Sequence, residues 1–358
     1  MSDVEVHVMP TRVRIARLLQ EARSEDRPGY VLLDIIGPLL KSLIGTENRD
    51  TFFELILDRA PPPESERHPN GNYESPPEEA KSVDKDAGPW RPAVSLVLDE
   101  DSVGNFRSDS LETFKDLWRP IKILEASGGV ATDQLVTILR PLSKSRISIM
   151  NVSTFNDDFL LCDDERSDEV VQSISSAVTR GGSGDEAPLS PSVVREIHDG
   201  AFVWLMPHKF VMLHHLADAM HEFTPSIMQV LLACADGDVD HGFVSVTRIA
   251  EEVSWIMPRE LFDKFEASAL ATCIGDYRAL QLRGSFSEHS NGVVDSFCAP
   301  LADAECEVLS MSSYWTNTML VREEDVDVVV DKLKEAGFSV EAGSASSDDG
   351  GIKSSGGR

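Results

Sequence analysis

Apolar and polar residues alternate in short runs along this chain, and segments of helical periodicity lie between these runs. Alternation predicts half-buried strands, and apolar residues three or four positions apart predict amphipathic helices. The predicted strands are residues 5–18, 51–59, 93–100, 121–126 and 278–284. The predicted helices are residues 31–44, 130–144, 168–178, 293–304 and 323–337. Strands interleaved with helices in this way predict an α+β fold, in which helices pack on one face of a sheet.

One passage occurs twice, 159 residues apart. Residues 145–162 and 305–321 each hold two short apolar runs around a polar break, and an acidic, Val-rich helix follows each of them. The aligned copies share identical residues, among them Ser153 with Ser312 and Leu161 with Leu320. The order of predicted elements around both copies is the same. We therefore expect an internal duplication and two similar halves.

Three stretches lack the apolar residues that a core needs. Residues 61–89 contain seven prolines, and their sizeable apolar side chains are only Tyr73 and Val83. Residues 180–192 and 342–358 are rich in Gly, Ser and acidic residues. Burial in such segments cannot offset the entropy lost on ordering, so we expect a disordered insert, a linker and a disordered tail. The linker divides the chain into its two halves.

The negative net charge of the chain limits the classes of partner that we expect it to bind. Its 61 acidic and 33 basic residues give a formal net charge of −28 over 358 residues. Nucleic acids and anionic bilayers would repel such a surface, so neither is an expected partner. The five cysteines are odd in number and lack CxxC spacing, which favours a reducing compartment. With no predicted signal peptide and no long apolar span, we expect a cytoplasmic protein without membrane insertion.

A histidine-rich segment offers a catalytic alternative. On a helix, His214, Asp218 and His221 would share one face at i, i+4 and i+7 and could surround a divalent metal. The segment has no HExxH motif and no nearby thiolate, which favours solvated helix histidines. The chain also has no GxSxG or phosphate-loop motif. We expect no metal, no cofactor and no catalysis, with an enzyme built on this histidine face as the alternative.

The order of elements resembles that of known regulatory proteins. A strand, a Gly-containing turn, a helix and two strands resemble the ACT domain, a module that binds amino acids. Most of the chain, apart from the insert and the tails, resembles the CASTOR family, cytosolic arginine sensors that report to the TOR kinase complex. The segments that carry this resemblance are residues 5–18, 138–162, 201–210, 242–265 and 278–321.

This resemblance implies a domain organisation. It implies tandem ACT-like domains of the βαββαβ type, four units in two similar halves, assembled as a homodimer. The four units would span residues 1–118, 119–179, 193–276 and 277–341, with the insert inside the first unit. A protein of this kind changes its hold on a partner in the TOR pathway when it binds its amino acid. The alternative is an ACT-type regulatory subunit that gives feedback control of an amino-acid biosynthetic enzyme.

The resemblance also implies a ligand site between the second and fourth units. Ser148 and Ile149 would meet the α-carboxylate and α-amine of the ligand, and the facing unit would supply backbone. The residues carried over to this site are Ser148, Ile149, Gly292, Val293, Val294, Ser313, Tyr314 and Asn317. Ordinary β-sheet structure explains the same strand residues without a ligand. The family also implies partner docking through the loop after Thr154, at Phe155, Asn156 and Asp158, with an ordinary exposed hairpin as the alternative.

Asn317 departs from the family pattern. The arginine sensors carry an aspartate there, because a carboxylate pairs with a guanidinium through two charged hydrogen bonds. The loop 283–292 also lacks the family's inner glycine, and Glu288 within it could supply a charge. A neutral amide suits a neutral or polar amino acid at least as well as arginine. Both ligand classes therefore stay open.

Overall fold

The computed structural model describes most of both halves. The described residues are 4–18, 37–43, 51–60, 91–107, 110–125, 131–179, 201–219, 222–225, 228–229, 243–250, 252–263, 272–284, 291–302, 304 and 306–343. The expected insert 61–89, the linker 180–192 and residues 344–358 of the tail lie outside the described residues. No described helix is long and apolar enough to cross a membrane.

The first half contains eight described strands and two long helices. The strands are β1 (Val4–Val8), β2 (Val13–Leu18), β3 (Phe52–Ala60), β4 (Arg91–Asp99), β5 (Leu111–Thr113), β6 (Trp118–Glu125), β7 (Ile149–Ser153) and β8 (Asp158–Asp163). The helices are α1 (Thr132–Lys144) and α2 (Ser167–Thr179), and residues 37–43 are also helical.

The second half contains seven described strands and three helices with full bounds, and residues 222–225 and 228–229 are also helical. The strands are β9 (Phe202–Leu216), β10 (Val244–Ile249), β11 (Glu252–Pro258), β12 (Thr272–Arg283), β13 (Val308–Ser312), β14 (Asn317–Arg322) and β15 (Ser339–Ala342). The helices are α3 (Arg259–Phe262), α4 (Val293–Cys298) and α5 (Val326–Glu335). Helices and strands of both halves thus give the expected α+β composition.

All the described strands belong to one sheet, and twelve of them form a closed path. The path runs β6-β8-β7-β13-β14-β12-β9-β11-β10-β3-β4-β2 and returns from β2 to β6 at the pair Val13 and Trp118. The strands β1, β5 and β15 pair with members of this path, on β6, β2 and β9. A barrel-like closure leaves few strand edges free for wrong pairing.

The strand pairings of the two halves repeat. In the first half β4 lies between β2 and β3, and β8 lies between β6 and β7. In the second half β11 lies between β9 and β10, and β14 lies between β12 and β13. The halves meet where β3 pairs with β10 and where β7 pairs with β13. This repetition is the topology that a duplication predicts, while the division into four ACT-like units stays a prediction.

The long helices cover the sheet around β6, β8, β7, β13, β14 and β12. Helix α1 buries Leu135, Ile138, Leu139 and Leu142, which follow the spacing of one helix face. These residues share a core with Val170 of α2, Phe297 of α4 and Val329 of α5. The helices therefore lie where residues 130–144, 168–178, 293–304 and 323–337 predict them, with α4 ending at Cys298 and continuing as a 3₁₀ turn.

Two sequence predictions differ from the structure. Residues 5–18, predicted as one strand, form β1 and β2, and the chain between them contains Pro10, which has no N–H to donate to a ladder. The predicted helix face of His214, Asp218 and His221 is wrong, because strand β9 continues to Leu216. Strand β9 is paired with β11 on one edge and with β12 on the other, and these ladders override local periodicity.

Candidate functional site

A cavity between β7 and the β13–β14 turn brings together the residues predicted to bind a ligand. This inner cavity has a volume of about 60 Å³. All the predicted ligand residues except Gly292 line it, and Gly292 directly precedes Val293. The lining residues are Phe114, Trp118, Ser148, Ile149, Met150, Val293, Val294 and residues 312–317. The site therefore draws on both halves of the chain.

A second cavity adjoins the inner one and carries charge. This outer cavity has a volume of about 170 Å³ and shares Trp118 and Ser148 with the inner cavity. Its lining includes two guanidinium groups and two carboxylates, from Arg146, Arg166, Asp116 and Asp163, together with Ile147 and Asn291. Arg166 is fixed by hydrogen bonds from its guanidinium to the carbonyls of Arg146 and Ser145, at 2.9 and 3.2 Å, and by an ion pair with Glu169 at 2.9 Å. Ser148 thus lies on the wall between an apolar and a charged compartment.

The wall of the inner cavity is aromatic. The ring of Phe114 lies 4.6 Å from Tyr314 and 6.0 Å from Trp118, and Tyr314 lies 4.8 Å from Trp315. The guanidinium of Arg17 lies over Trp315 at 4.4 Å and over Tyr314 at 5.2 Å. Such cation–π contacts hold both rings in place. An arginine of the chain itself therefore already stacks on this wall.

The amide of Asn317 is engaged within the chain. Its Nδ2 donates to the hydroxyl of Ser312 at 2.8 Å, and its Oδ1 accepts from the hydroxyl of Ser310 at 3.3 Å. Asn317 is 2% exposed. An amide has two N–H groups and an oxygen with two lone pairs, so one N–H and one lone pair are left for a ligand. Asn317 thus lies at the cavity, where the resemblance implies it, and half of its hydrogen-bonding capacity is used within the chain.

Asp58 of β3 supports the β13–β14 turn and was missed by the sequence analysis. Its Oδ2 accepts hydrogen bonds from the hydroxyls of Ser313 at 2.6 Å and Thr316 at 2.9 Å. Burial raises the pKa of Asp58 to about 7, although these two hydrogen bonds and the charge of Arg283 lower it. An acidic residue in an alternating run looks like a solvated strand position, so no local signal marks it.

The turn before α4 favours glycine. Gly292 has φ +76°, in the left-handed region that side chains disfavour, and its carbonyl accepts the first helical hydrogen bond from Ser296 at 2.9 Å. The next two residues, Val293 and Val294, line the inner cavity. The backbone conformation at position 292 therefore explains the glycine there without a ligand.

Comparison with known proteins identifies one part of the chain. Residues 273–335 match the family model of the ACT domain. This segment resembles an ACT domain. It includes Gly292 and five further predicted ligand residues: Val293, Val294, Ser313, Tyr314 and Asn317. No curated protein matches the chain. A relation of the chain to the CASTOR family stays a prediction.

Solved structures share little sequence with the chain. An Agrobacterium tumefaciens protein is 19% identical, with a TM-score of 0.32, and the match covers 40% of this chain and 95% of that one. Aspartate kinase from Synechocystis is 13% identical, with a TM-score of 0.30 and coverage of 96% and 57%. A Vibrio cholerae protein of unknown function, described as a possible transport protein, is 13% identical, with a TM-score of 0.26 and coverage of 49% and 89%. Such scores carry no argument about function.

The residues predicted to dock a partner face the second half of the chain. The backbone N–H of Phe155 donates to the hydroxyl of Ser254 at 3.0 Å, and its ring stacks on His214 at 4.9 Å. Asn156 donates through Nδ2 to Glu252 at 2.7 Å. Asp158 is 5% exposed, so it differs from the exposed hairpin residue that was expected. A docking role for this loop stays a prediction.

The histidines of β9 do not assemble a metal site in the described residues. His214 lies 3.9 Å from Glu252, while its neighbour His215 points to the other face and accepts a hydrogen bond from Trp255 at 3.0 Å. No group of three or more metal-binding side chains is found in the described part of the chain. His221 lies outside it. The alternation of a strand separates the side chains that a helix would have aligned.

Proposed function

We propose that this chain is a non-catalytic regulator that binds a free amino acid in the inner and outer cavities. The observation that carries the proposal is the position of Ser148, on the wall between the two cavities and opposite the ACT segment. An ACT domain suggests a regulatory, amino-acid-binding role. The outer cavity would hold the head group of such a ligand, and the inner cavity would hold its side chain.

The outer cavity suits the head group of an amino acid. A zwitterion carries an ammonium and a carboxylate on one carbon, and this cavity is lined by the acidic residues Asp116 and Asp163 and by the basic residue Arg146. Arg166 also lines it, with one guanidinium N–H left beside its bonds to Glu169 and two carbonyls. Charge-assisted hydrogen bonds are about twice as strong as neutral ones. Ser148 lines both cavities and Ile149 lines the inner one, so the α-carbon of the ligand would sit beside these two residues.

The inner cavity suits a small side chain. At about 60 Å³ it has room for only about four to six water-sized groups. Its aromatic wall and the free N–H of Asn317 favour an uncharged or polar group, since Asn317 provides no countercharge. We therefore propose a neutral or polar amino acid as the ligand, with arginine as the alternative that the CASTOR resemblance implies.

The proposal also includes a protein partner that the sensor regulates. By its resemblance to the CASTOR family, the chain would act in the cytoplasm as a homodimer on a partner of the TOR pathway. The alternative is a regulatory subunit of an amino-acid biosynthetic enzyme. Affinity purification of the native complex separates the two, because one predicts TOR-pathway proteins and the other a metabolic enzyme. Ligand and partner must affect each other's binding by the same factor.

The ligand site itself is tested by a screen of the proteinogenic amino acids for thermal stabilisation, followed by calorimetry. Ser148→Ala should weaken every ligand found in the screen by about tenfold or more, because it removes a hydrogen bond to the shared head group. Ser176→Ala, at an exposed position of α2, is the matched control. The proposal fails when no amino acid stabilises the protein, or when Ser148→Ala and the control bind equally well.

A further inference from the structure

A third cavity lies where the two halves meet, away from the predicted ligand residues. This junction cavity has a volume of about 520 Å³, within the range of small-molecule sites. Strands β1, β6 and β8 and the β7–β8 turn line it from the first half, and β9, β10 and β11 line it from the second. Its polar lining includes His7, Lys122, Asp157, His214 and Glu252.

The duplication provides an internal comparison for this cavity. His7 of β1 is paired with Lys122 of β6, and at the equivalent place Trp204 of β9 is paired with Gln281 of β12. Trp204 is 9% exposed, and the guanidinium of Arg283 lies 3.8 Å from its ring. His7, in contrast, is exposed. The second half therefore has the large, buried side chain of Trp204 at the place where the first half has the exposed His7.

The same comparison shows a change of charge. Lys122 forms an ion pair with Asp157 at 2.6 Å. Their counterparts, 159 residues later, are Gln281 and Thr316, which form a hydrogen bond at 3.2 Å. Both counterparts are buried, whereas Lys122 and Asp157 keep 28% and 21% of their side chains exposed. The pair Gln281 and Thr316 is uncharged and buried, and the pair Lys122 and Asp157 is charged and partly exposed.

Glu252 supplies a carboxylate on the opposite wall. One of its oxygens accepts from Asn156 at 2.7 Å and the other from the hydroxyl of Ser254 at 3.1 Å. Its ion-pair partner within the described residues is His214, at 3.9 Å. Each carboxylate oxygen has a second lone pair, so Glu252 can accept from a ligand ammonium. Such an ammonium would bring a full positive charge to this half-buried group.

The remaining wall is apolar. Met9, Phe159, Ile249 and Leu216 line the cavity, and Leu216 is an exposed large hydrophobic residue. Lys122 and His7 offer donors for a carboxylate, because the Lys122 ammonium has three N–H groups and the ion pair with Asp157 uses one. A ligand with an ammonium, a carboxylate and a large apolar group would meet each part of this lining.

We propose that the junction cavity is a second ligand site, separate from the inner and outer cavities, and that it takes an amino acid with a bulky apolar side chain. The ligand ammonium faces Glu252, its carboxylate faces Lys122 and His7, and its side chain packs on Phe159 and Met9. Because the cavity lies between the halves, an occupant contacts both. This site does not depend on the proposed function of the inner cavity.

The test uses calorimetry on the full chain with L-phenylalanine and L-leucine as probes. His7→Trp places in the cavity the side chain that Trp204 has in the other half, and it should weaken binding of both probes at least tenfold. Val8→Trp is the matched control, since Val8 is the next residue of β1, is 38% exposed and does not line the cavity. The control should bind as the wild type does.

A second variant tests the charge without changing the volume. Glu252→Gln should weaken L-phenylalanine about tenfold, because the ammonium loses a charged acceptor. It should leave 3-phenyllactate, which has a hydroxyl in place of the ammonium, unaffected or bound more tightly. Melting curves establish that both variants are folded. This variant keeps the test decisive if His7→Trp does not fold.

Two results would overturn the proposal. One is the absence of binding of either probe to the wild type at millimolar concentration. The other is binding that Ser148→Ala abolishes while His7→Trp and Glu252→Gln leave it intact, which would assign the probes to the inner cavity. The converse result is that His7→Trp and Glu252→Gln weaken binding of the probes while Ser148→Ala does not. That result supports the junction site, even if no ligand binds in the inner cavity.

Discussion

The hydroxyl of Ser153 accepts a hydrogen bond from the backbone N–H of Ser310 at 3.0 Å, across the joint between the two halves. The hydroxyl of Ser312 accepts the equivalent bond from the N–H of Asn151, also at 3.0 Å. Ser153 and Ser312 are the identical serines of the repeated passage. The duplication thus explains a reciprocal contact, in which each copy satisfies a buried donor of the other.

The same reciprocity extends to the turns on either side of this joint. The N–H of Phe155 donates to the hydroxyl of Ser254, and the N–H of Tyr314 donates to the hydroxyl of Ser95, both at 3.0 Å. Each turn therefore lies on the opposite half. Only one backbone pair, Val152 with Met311, joins β7 to β13 directly. Hydrogen bonds to side-chain hydroxyls therefore make up much of the described hydrogen bonding of these two strands and their turns across the joint.

We expect Ser153→Ala and Ser312→Ala each to destabilise the protein by about 1–3 kcal/mol, because each leaves a buried backbone N–H without its acceptor. Equilibrium urea denaturation measures the change in the free energy of unfolding. Ser176→Ala, on the exposed face of α2, should change it by less than about 0.5 kcal/mol. Equal effects of the exposed and buried substitutions would contradict the role given to this joint.

The pKa of Asp58 predicts a pH dependence of stability. Burial raises it from 3.8 to about 7, so between these values the folded chain holds a proton that the unfolded chain has released. Stability from this group is therefore present at low pH and is lost as pH rises towards about 7. Asp58→Asn removes that loss and should stabilise the protein increasingly from about pH 4 to pH 7.

Urea denaturation of the wild type and Asp58→Asn at pH 4, 5.5, 7 and 8 measures this difference. The gain should grow with pH and become constant above about pH 7. Burial also raises the pKa of Glu54, but Glu54 is present in both proteins and its contribution cancels in the comparison. A gain that is independent of pH would mean that Asp58 does not titrate in this range.

The sequence predicts those parts of the fold whose signals are local. Leu135, Ile138, Leu139 and Leu142 mark α1 because one helix face is buried, and the repeated alternation marks β7 and β8. The family resemblance, rather than the repeat alone, implies a site that joins Ser148 to the β13–β14 turn, and both line the inner cavity.

The remaining features depend on contacts far apart in the chain. Strand β9 extends through His214 because β11 and β12 pair with it. These strands are distant in sequence, so the local pattern of histidines does not indicate their presence. Asp58 is buried because β3 lies between β4 and β10, and it meets Ser313 from 255 positions away. A single sequence gives no signal for either relationship.

Asn317→Asp tests the ligand preference of the inner cavity. The aspartate should be accommodated, because Asp158 occupies the equivalent place in the other copy and accepts a hydrogen bond from Ser153 at 2.5 Å. A carboxylate would attract a guanidinium or ammonium and repel an acidic side chain. Under the proposed function, we expect arginine affinity to rise at least tenfold in this variant while the affinity for a small neutral amino acid stays the same or falls.

Calorimetry with arginine and with the best neutral ligand of the screen measures both effects, and Asp158→Asn provides the mirror control. That substitution changes the other copy, away from the inner cavity lining, so it should leave arginine affinity unchanged. Tight arginine binding by the wild type, with the same affinity in Asn317→Asp, would mean that Asn317 does not meet the ligand side chain. Arginine would then be recognised by another group, and the small neutral ligand proposed from the amide and the cavity volume would be incorrect.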